Sequence, residues 1–141
     1  MTTQIFIVED HTLMRQLLRQ AVEKMPGLAV SGVASSAEEA LDKLHNLEAD
    51  LVLVDMSLPR MSGVELIREL RERSPALRFL VVSGHKETTY VEQTLAAGAH
   101  GYLLKGNPYE IPEAITQVLA GNTFLSAPLR TAWDADSHRY K

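Results

Sequence analysis

Five short apolar runs, Ile5–Val8, Leu28–Ala34, Leu51–Val54, Phe79–Val82 and Gly101–Leu104, alternate along the chain with longer amphipathic stretches. This alternation restricts the fold more than anything else in the sequence. Three of the runs are unbroken and rich in Val, Ile and Leu, as parallel strands covered on both faces are. The stretches between them have helical period. Thr12–Met25 sets Leu13, Leu17 and Ala21 on one line and Met14, Leu18, Val22 and Met25 on the next, and stops at Pro26-Gly27. Ser36-Ala37-Glu38-Glu39 is a capping-box pattern opening a second helix, with Ala40, Leu41, Leu44 and Leu47 as its apolar stripe. A third helix is predicted from about Ser62 to Arg73, with Val64, Ile67 and Leu70 inward, ending before Pro75. The fourth spans roughly Glu87–Ala97 and is closed by Gly98. The last opens at Asn107-Pro108 as cap and first-turn proline and runs to about Gly121, with Pro112 allowing a later start. Strand–helix units repeated five times predict an α/β fold: a doubly wound, five-stranded parallel sheet with right-handed crossovers and helices on both faces. Residues 122–141 have no clear period and are expected to form a packed turn followed by a loose tail.

Composition excludes several functions. The length of 141 residues suits one domain. The absence of cysteine removes disulfides, thiolate metal sites and cysteine nucleophiles. No apolar run approaches the roughly 18–20 residues of a membrane helix, and MTTQIFIVED reads as neither a signal nor a transit peptide. A net charge of −4 offers no concentrated basic surface for nucleic acid.

The polar residues that matter sit where the strands stop. Glu9 and Asp10 follow the first strand, Asp55 the third, Ser83 the fourth and Lys105 the fifth. The carboxyl ends of parallel strands border the ligand crevice of an open α/β sheet, so these residues are expected to converge. Taken singly, each has an ordinary explanation: Asp10 or Ser83 as a cap, Lys105 as a surface lysine. Together they do not. Clustered carboxylates raise one another's pKa unless a cation compensates them, and all-oxygen ligands favour Mg²⁺. A lysine and a hydroxyl beside such a site supply a charge and a donor for phosphoryl oxygens.

Glu9-Asp10, the D-x-x-x-P-x-x-x-G stretch from Asp55 through Pro59 to Gly63, Ser83, and Gly-Tyr-Leu-Leu-Lys ending at Lys105 resemble the response-regulator receiver domain of two-component signalling, over about residues 3–121. Glu-Asp-His at 9–11 and Phe-Leu-Ser at 124–126 look most like its NarL-type branch. The resemblance implies a CheY-like, flavodoxin-like strand order 2-1-3-4-5, a receiver domain at 1–121 and a tail or linker start at 122–141. It implies that Asp55 is the phosphoacceptor for a sensor histidine kinase or phosphotransfer protein. Asp10, Asp55 and the backbone carbonyl of Ser57 then bind Mg²⁺ (or Mn²⁺), and Glu9 acts through water. Ser83 and Lys105 contact the phosphoryl group. Tyr102 turns inward as Ser83 moves, changing the surface nearby. It further implies a cytoplasmic phosphoprotein with an unknown downstream protein partner and, compatible with the family, a phosphorylation-dependent homodimer. No direct nucleic-acid or membrane contact by this chain is expected. Enzymatic activity is limited to autophosphorylation from small phosphodonors and autodephosphorylation.

Several positions carry two readings. Ser57 and His85 either tune water access to the acyl phosphate or complete turns. Tyr102 alone reads as a strand aromatic. Apolar residues of the first helix belong either to the core or to the family's kinase-docking face. His11 is not an obvious metal ligand. Gly106 replaces the proline that commonly follows the lysine, which argues against a cis 105–106 bond. A chain ending at Lys141 is either a free-standing receiver or the receiver portion of a longer DNA-binding regulator. The enzyme alternative, a Mg²⁺-dependent phosphatase with an aspartyl nucleophile, needs a second acid where Ser57 stands. A flavodoxin-like flavin or nucleotide binder needs a phosphate loop where Glu9-Asp10 stand.

Overall fold

The computed structural model describes residues 2–141. The chain forms strands β1 (Thr3–Val8), β2 (Leu28–Ala34), β3 (Leu51–Asp55), β4 (Arg78–Ser83), β5 (Gly101–Leu104) and β6 (Phe124–Leu125). Helices α1 (Thr12–Glu23), α2 (Ala37–Leu44), α3 (Gly63–Arg73), α4 (Thr88–Ala96) and α5 (Ile111–Leu119) join the first five strands and lead to β6. All neighbours in the sheet are parallel, in the order β2-β1-β3-β4-β5-β6. The flavodoxin-like α/β order is as expected, with one more strand than expected. Phe124–Leu125 pairs with Gly101–Tyr102, and a two-residue strand is too short to leave a period in the sequence.

Strand residues alternate between two cores, as the pleat requires. Phe6, Val8, Val52, Val54, Phe79, Val81 and Tyr102 pack beneath α2, α3 and α4 through Ala37, Ala40, Leu66, Ile67, Leu70 and Val91. Ile5, Ile7, Leu51, Leu53, Leu80, Val82 and Leu103 pack beneath α1 and α5 through Leu18, Val22, Ile111, Ala114, Ile115 and Val118. At roughly 1.5–3 kcal/mol for each large apolar side chain taken out of water, these two layers supply most of the driving force for folding. In α3 it is Leu66, rather than Val64, that joins Ile67 and Leu70 in the core.

Helix starts follow local chemistry. The Ser36 hydroxyl accepts the Glu39 N–H at 3.1 Å. Glu39 does not close a capping box; its carboxylate takes the N–H and hydroxyl of Ser35 instead. Ser62 and Glu65 do form a reciprocal box at α3. Asn107 caps nothing with its side chain. Pro108–Glu110 make a 3₁₀ turn, and α5 proper starts at Ile111 with Pro112 in its first turn. No cis peptide occurs among the described residues, so the 105–106 bond is trans.

The expected loose tail is folded. After a 3₁₀ turn over Ala127–Leu129, strands β7 (Trp133–Asp134) and β8 (Arg139–Tyr140) form an antiparallel hairpin. Trp133 and Tyr140 meet edge to face at 5.0 Å, and the Tyr140 N–H donates to Glu92 of α4 at 2.8 Å. Aromatic contacts between neighbouring strands, not sequence period, hold this segment. Among the described residues, no helix is long and apolar enough to cross a membrane.

Candidate functional site

Parallel register brings the strand ends level. Val8 lies beside Val54, Asp55 beside Val82 and Ser83 beside Leu104. Residues immediately after β1 and β5 therefore meet the last residues of β3 and β4 at one rim. Ligand oxygens or nitrogens of Glu9, Asp10, His11 and Asp55 lie within 4.8 Å of one another. Glu9 and Asp55 are 0% and 2% exposed, whereas Asp10 and His11 face solvent. Lys105 Nζ lies 3.2 Å from Glu9 Oε1 and 3.2 Å from Asp55 Oδ2. Those two oxygens are buried, and the Lys105 ammonium is their one polar neighbour, so each has acceptor capacity left over. Two open carboxylate oxygens beside an exposed third acid are a donor set that fits a hard divalent cation.

The electrostatics separate the two buried acids. Burial, then the hydrogen bond and charge of Asp55, push Glu9 up to about 7. Burial acts on Asp55 in the same direction, but a hydrogen bond with Glu9, the Ser57 N–H and Lys105 outweigh it, so Asp55 lies below the usual carboxylate range. Of the two buried acids, Asp55 is the one whose surroundings favour the charged form. Burial disfavours the Lys105 ammonium, but Asp55 and Glu9 overcome it and hold its pKa above that of a free lysine.

A second group of residues sits on the α4 side. The Ser57 N–H donates to Asp55 Oδ1 at 3.0 Å, and its hydroxyl is 3.4 Å from His85 Nε2. The His85 ring lies tilted against Tyr90, centroids 4.6 Å apart, and has Nδ1 3.7 Å from Glu87. The Ser83 hydroxyl accepts the His85 N–H at 3.0 Å and points at the Met56 sulfur, 3.7 Å away. Tyr102, expected to move inward, is fully buried already, with its hydroxyl donating to the His85 carbonyl at 2.9 Å. A cavity of about 490 Å³ lined by Met56, Ser57, His85 and Tyr90 opens on this side of the rim, and a separate one of about 710 Å³ lies between α4 and the C-terminal hairpin.

All eight residues singled out in the sequence, Glu9, Asp10, Asp55, Ser57, Ser83, His85, Tyr102 and Lys105, surround this rim. Three more participate: His11, not an obvious metal ligand from the sequence, and Arg15 and Met56, which the sequence does not connect with the site. His11 places Nδ1 3.6 Å from Asp10 and 3.8 Å from Glu9. Arg15, one helical turn on, donates to the Glu9 carbonyl at 2.8 Å. Met56 collects three hydroxyls on its sulfur. The position of Met56 directly after Asp55 was the available signal, but an apolar residue at a strand end reads as core.

A strand-end aspartate, a buried companion acid and a lysine bridging the two thus stand together at the carboxyl edge of a doubly wound sheet, the place where α/β folds of this class bind their ligands. The chain belongs to the response regulator receiver domain family, matching its profile over residues 5–116. It is 40% identical over 136 residues to the transcriptional activator protein ExaE of Pseudomonas putida, covering 95% of this chain and 63% of that protein. It is 37% identical over 128 residues to the nitrate/nitrite response regulator NarL of Escherichia coli K12, covering 89% and 58%. The chain thus spans roughly three-fifths of the length of these relatives. A two-component response regulator of the LuxR family from Aurantimonas sp. SI85-9A1 superposes with a TM-score of 0.83 at 33% identity, covering 92% of this chain and 93% of that one. The receiver domain of a NarL response regulator from Mycobacterium tuberculosis gives 0.77 at 29% identity, covering 86% and 98%. The chain is thus a receiver domain of the NarL/LuxR type, the module of two-component response regulators.

Proposed function

We propose that Asp55 takes the phosphoryl group of a kinase phosphohistidine. A carboxylate oxygen of Asp55 attacks phosphorus, the P–N bond breaks, and the departing imidazole takes up a proton. The observation carrying this reading is Lys105 Nζ set 3.2 Å from Glu9 Oε1 and from Asp55 Oδ2, two buried carboxylate oxygens with no other polar partner. Phosphoryl transfer needs positioning and neutralisation of charge more than covalent chemistry. Lys105 supplies a fixed positive charge. Asp10, Asp55 and the Ser57 carbonyl form the ligand set for Mg²⁺ or Mn²⁺, with Glu9 acting through water. When bound, the ion neutralises charge on the transferring oxygens. Ser83 donates its hydroxyl to the phosphoryl group and draws on the turn before α4. Ser57 and His85 border the route of attacking water and set the lifetime of the acyl phosphate.

Small phosphodonors serve the same chemistry. Incubation with acetyl phosphate and Mg²⁺ is expected to add one phosphate by intact mass, and Asp55→Asn to prevent it. No mass increase, or an equal increase in the Asp55→Asn variant, rejects the reading. A cytoplasmic location, a sensor histidine kinase as donor, and phosphorylation-dependent pairing of two copies follow from the same assignment. A second reading, that the chain is the receiver part of a longer DNA-binding regulator, is favoured by its likeness to 63% of a transcriptional activator. The aspartyl phosphatase alternative lacks its acid, because the hydroxyl of Ser57 stands in that position.

A further inference from the structure

Met56 is fixed at both ends of its peptide. Its N–H donates to the Val82 carbonyl at 3.2 Å, and its carbonyl accepts the Gly63 N–H at 3.4 Å. The side chain is therefore held between the phosphoacceptor and α4. Three hydroxyls from three elements reach its sulfur: Tyr102 at 3.6 Å, Ser83 at 3.7 Å and Thr94 at 3.8 Å.

The three are not equivalent. Each hydroxyl has one proton to donate. Thr94 has a better acceptor in the Tyr90 carbonyl at 2.6 Å, and Tyr102 in the His85 carbonyl at 2.9 Å. Carbonyl oxygens outcompete a thioether for a hydroxyl proton. Ser83 is different. It is fully buried, accepts the His85 N–H, and donates its one hydrogen bond to Met56 Sδ. Tyr102 stands close to Ser83 and gives its own proton to the His85 carbonyl, and the aligned acceptor of the Ser83 hydroxyl is Met56 Sδ.

We infer that Met56 is a positioning residue that parks the Ser83 hydroxyl, and so sets how readily Ser83 turns to a phosphoryl group on Asp55. The inference rests on the phosphoacceptor reading of Asp55. A thioether is a weak acceptor: it satisfies a buried hydroxyl enough to hold one arrangement, and it loses that hydroxyl to phosphoryl oxygens. Met56 thereby keeps the switch poised. Replacing the sulfur with carbon leaves the Ser83 donor unsatisfied in the parked arrangement alone, which favours the arrangement turned to phosphate. Replacing it with an amide oxygen deepens the parked arrangement.

The test is the affinity for beryllium trifluoride with Mg²⁺, a mimic of the phosphoryl group, measured by Trp133 fluorescence or calorimetry. Met56→Leu nearly conserves volume and is expected to fold. It is expected to bind about fivefold more tightly than the wild type, equal to about 1 kcal/mol at 1.4 kcal/mol per factor of ten. Met56→Gln is expected to bind more weakly. In a Ser83→Ala background, Met56→Leu is expected to leave affinity unchanged. A merely structural role weakens binding in both Met56 variants and does so whether or not Ser83 is present. Unchanged or weaker binding by Met56→Leu, tighter binding by Met56→Gln, or a Met56→Leu effect that survives Ser83→Ala overturns the inference. Wild type that fails to bind the mimic, or binds no better than Asp55→Asn, instead overturns the assignment of Asp55.

Discussion

Gly63→Ala tests how tightly the start of α3 is pressed on the phosphoacceptor. A methyl at Gly63 meets the Asp55 carbonyl oxygen at 2.5 Å and the Met56 Cα at 3.1 Å, both of them backbone atoms with no rotamer to change. Gly63 does not have a positive φ, so alanine suits the local conformation and the whole penalty is steric. Overpacking of this kind costs about 1–3 kcal/mol. Alanine for glycine at a compatible helical position returns about 0.4–1 kcal/mol through the unfolded chain. The net expectation is a loss of about 1–2 kcal/mol, or roughly 3–7 °C in Tm for a domain of this size. The displaced atoms carry Asp55, so the rate of phosphorylation by acetyl phosphate is expected to fall as well. Urea unfolding read by Trp133 fluorescence, together with intact-mass kinetics, measures both. Gly84→Ala and Gly106→Ala are the controls, because a methyl at either meets nothing within 4 Å and neither has a positive φ. Both are expected within about 0.5 kcal/mol of the wild type. A Gly63→Ala protein as stable and as fast as these controls would refute the argument from close packing.

The His100 ring accepts the Phe79 N–H on Nδ1 at 3.0 Å, and burial followed by the charges of Arg78 and Arg71 lowers its pKa from 6.5. Between the folded value and 6.5 the unfolded chain holds the extra proton, so stability falls as pH drops through that window and levels off below it; an NMR titration placing the ring at or above 6.5 removes the prediction. Ser36→Ala deletes the acceptor for the Glu39 N–H at 3.1 Å and is expected to cost about 1 kcal/mol by chemical denaturation, since side-chain caps are worth about that much. Trp133→Ala is expected to abolish hydrogen-exchange protection at the Tyr140 amide, which donates to Glu92, while leaving β1 and β3 amides protected; loss of protection throughout the sheet contradicts a hairpin that is a local unit.

Strands of the inner sheet were legible because burial on both faces leaves unbroken apolar runs. β2 and β5 begin and end where the sequence placed them, and β1, β3 and β4 extend beyond the apolar core by a residue or two. Those extra residues are polar: Asp55 and Ser83 are strand residues whose side chains serve the rim. Hydropathy cannot include them, because their burial is compensated by Lys105 in one case and by Met56 and His85 in the other. What followed α5 was illegible for a different reason. Ser126, at the end of β6, holds the Leu104 N–H at 2.8 Å, and Glu110 holds the Ala127 N–H at 3.0 Å. Both bonds span 17 or more residues, and no local pattern encodes them.

The site divides along the same physical line. Charged groups announced themselves, because several acids and one lysine at successive strand ends have few structural reasons to coincide. The coupling machinery did not, because its parts are individually ordinary: a methionine, a threonine on a helix, a tyrosine in a strand. Their role comes from how many acceptors each hydroxyl has within reach. Tyr102 shows the consequence. The family resemblance implies that it turns inward as Ser83 moves, and it is inward here, bonded to the His85 carbonyl. The Ser83 hydroxyl has the weaker hold, because its aligned acceptor is a sulfur. On the inference drawn above, the Ser83 hydroxyl, held only by the His85 N–H and a weak thioether acceptor, is the group that a charge on Asp55 redirects, and the apolar neighbour of Asp55 sets how readily it turns.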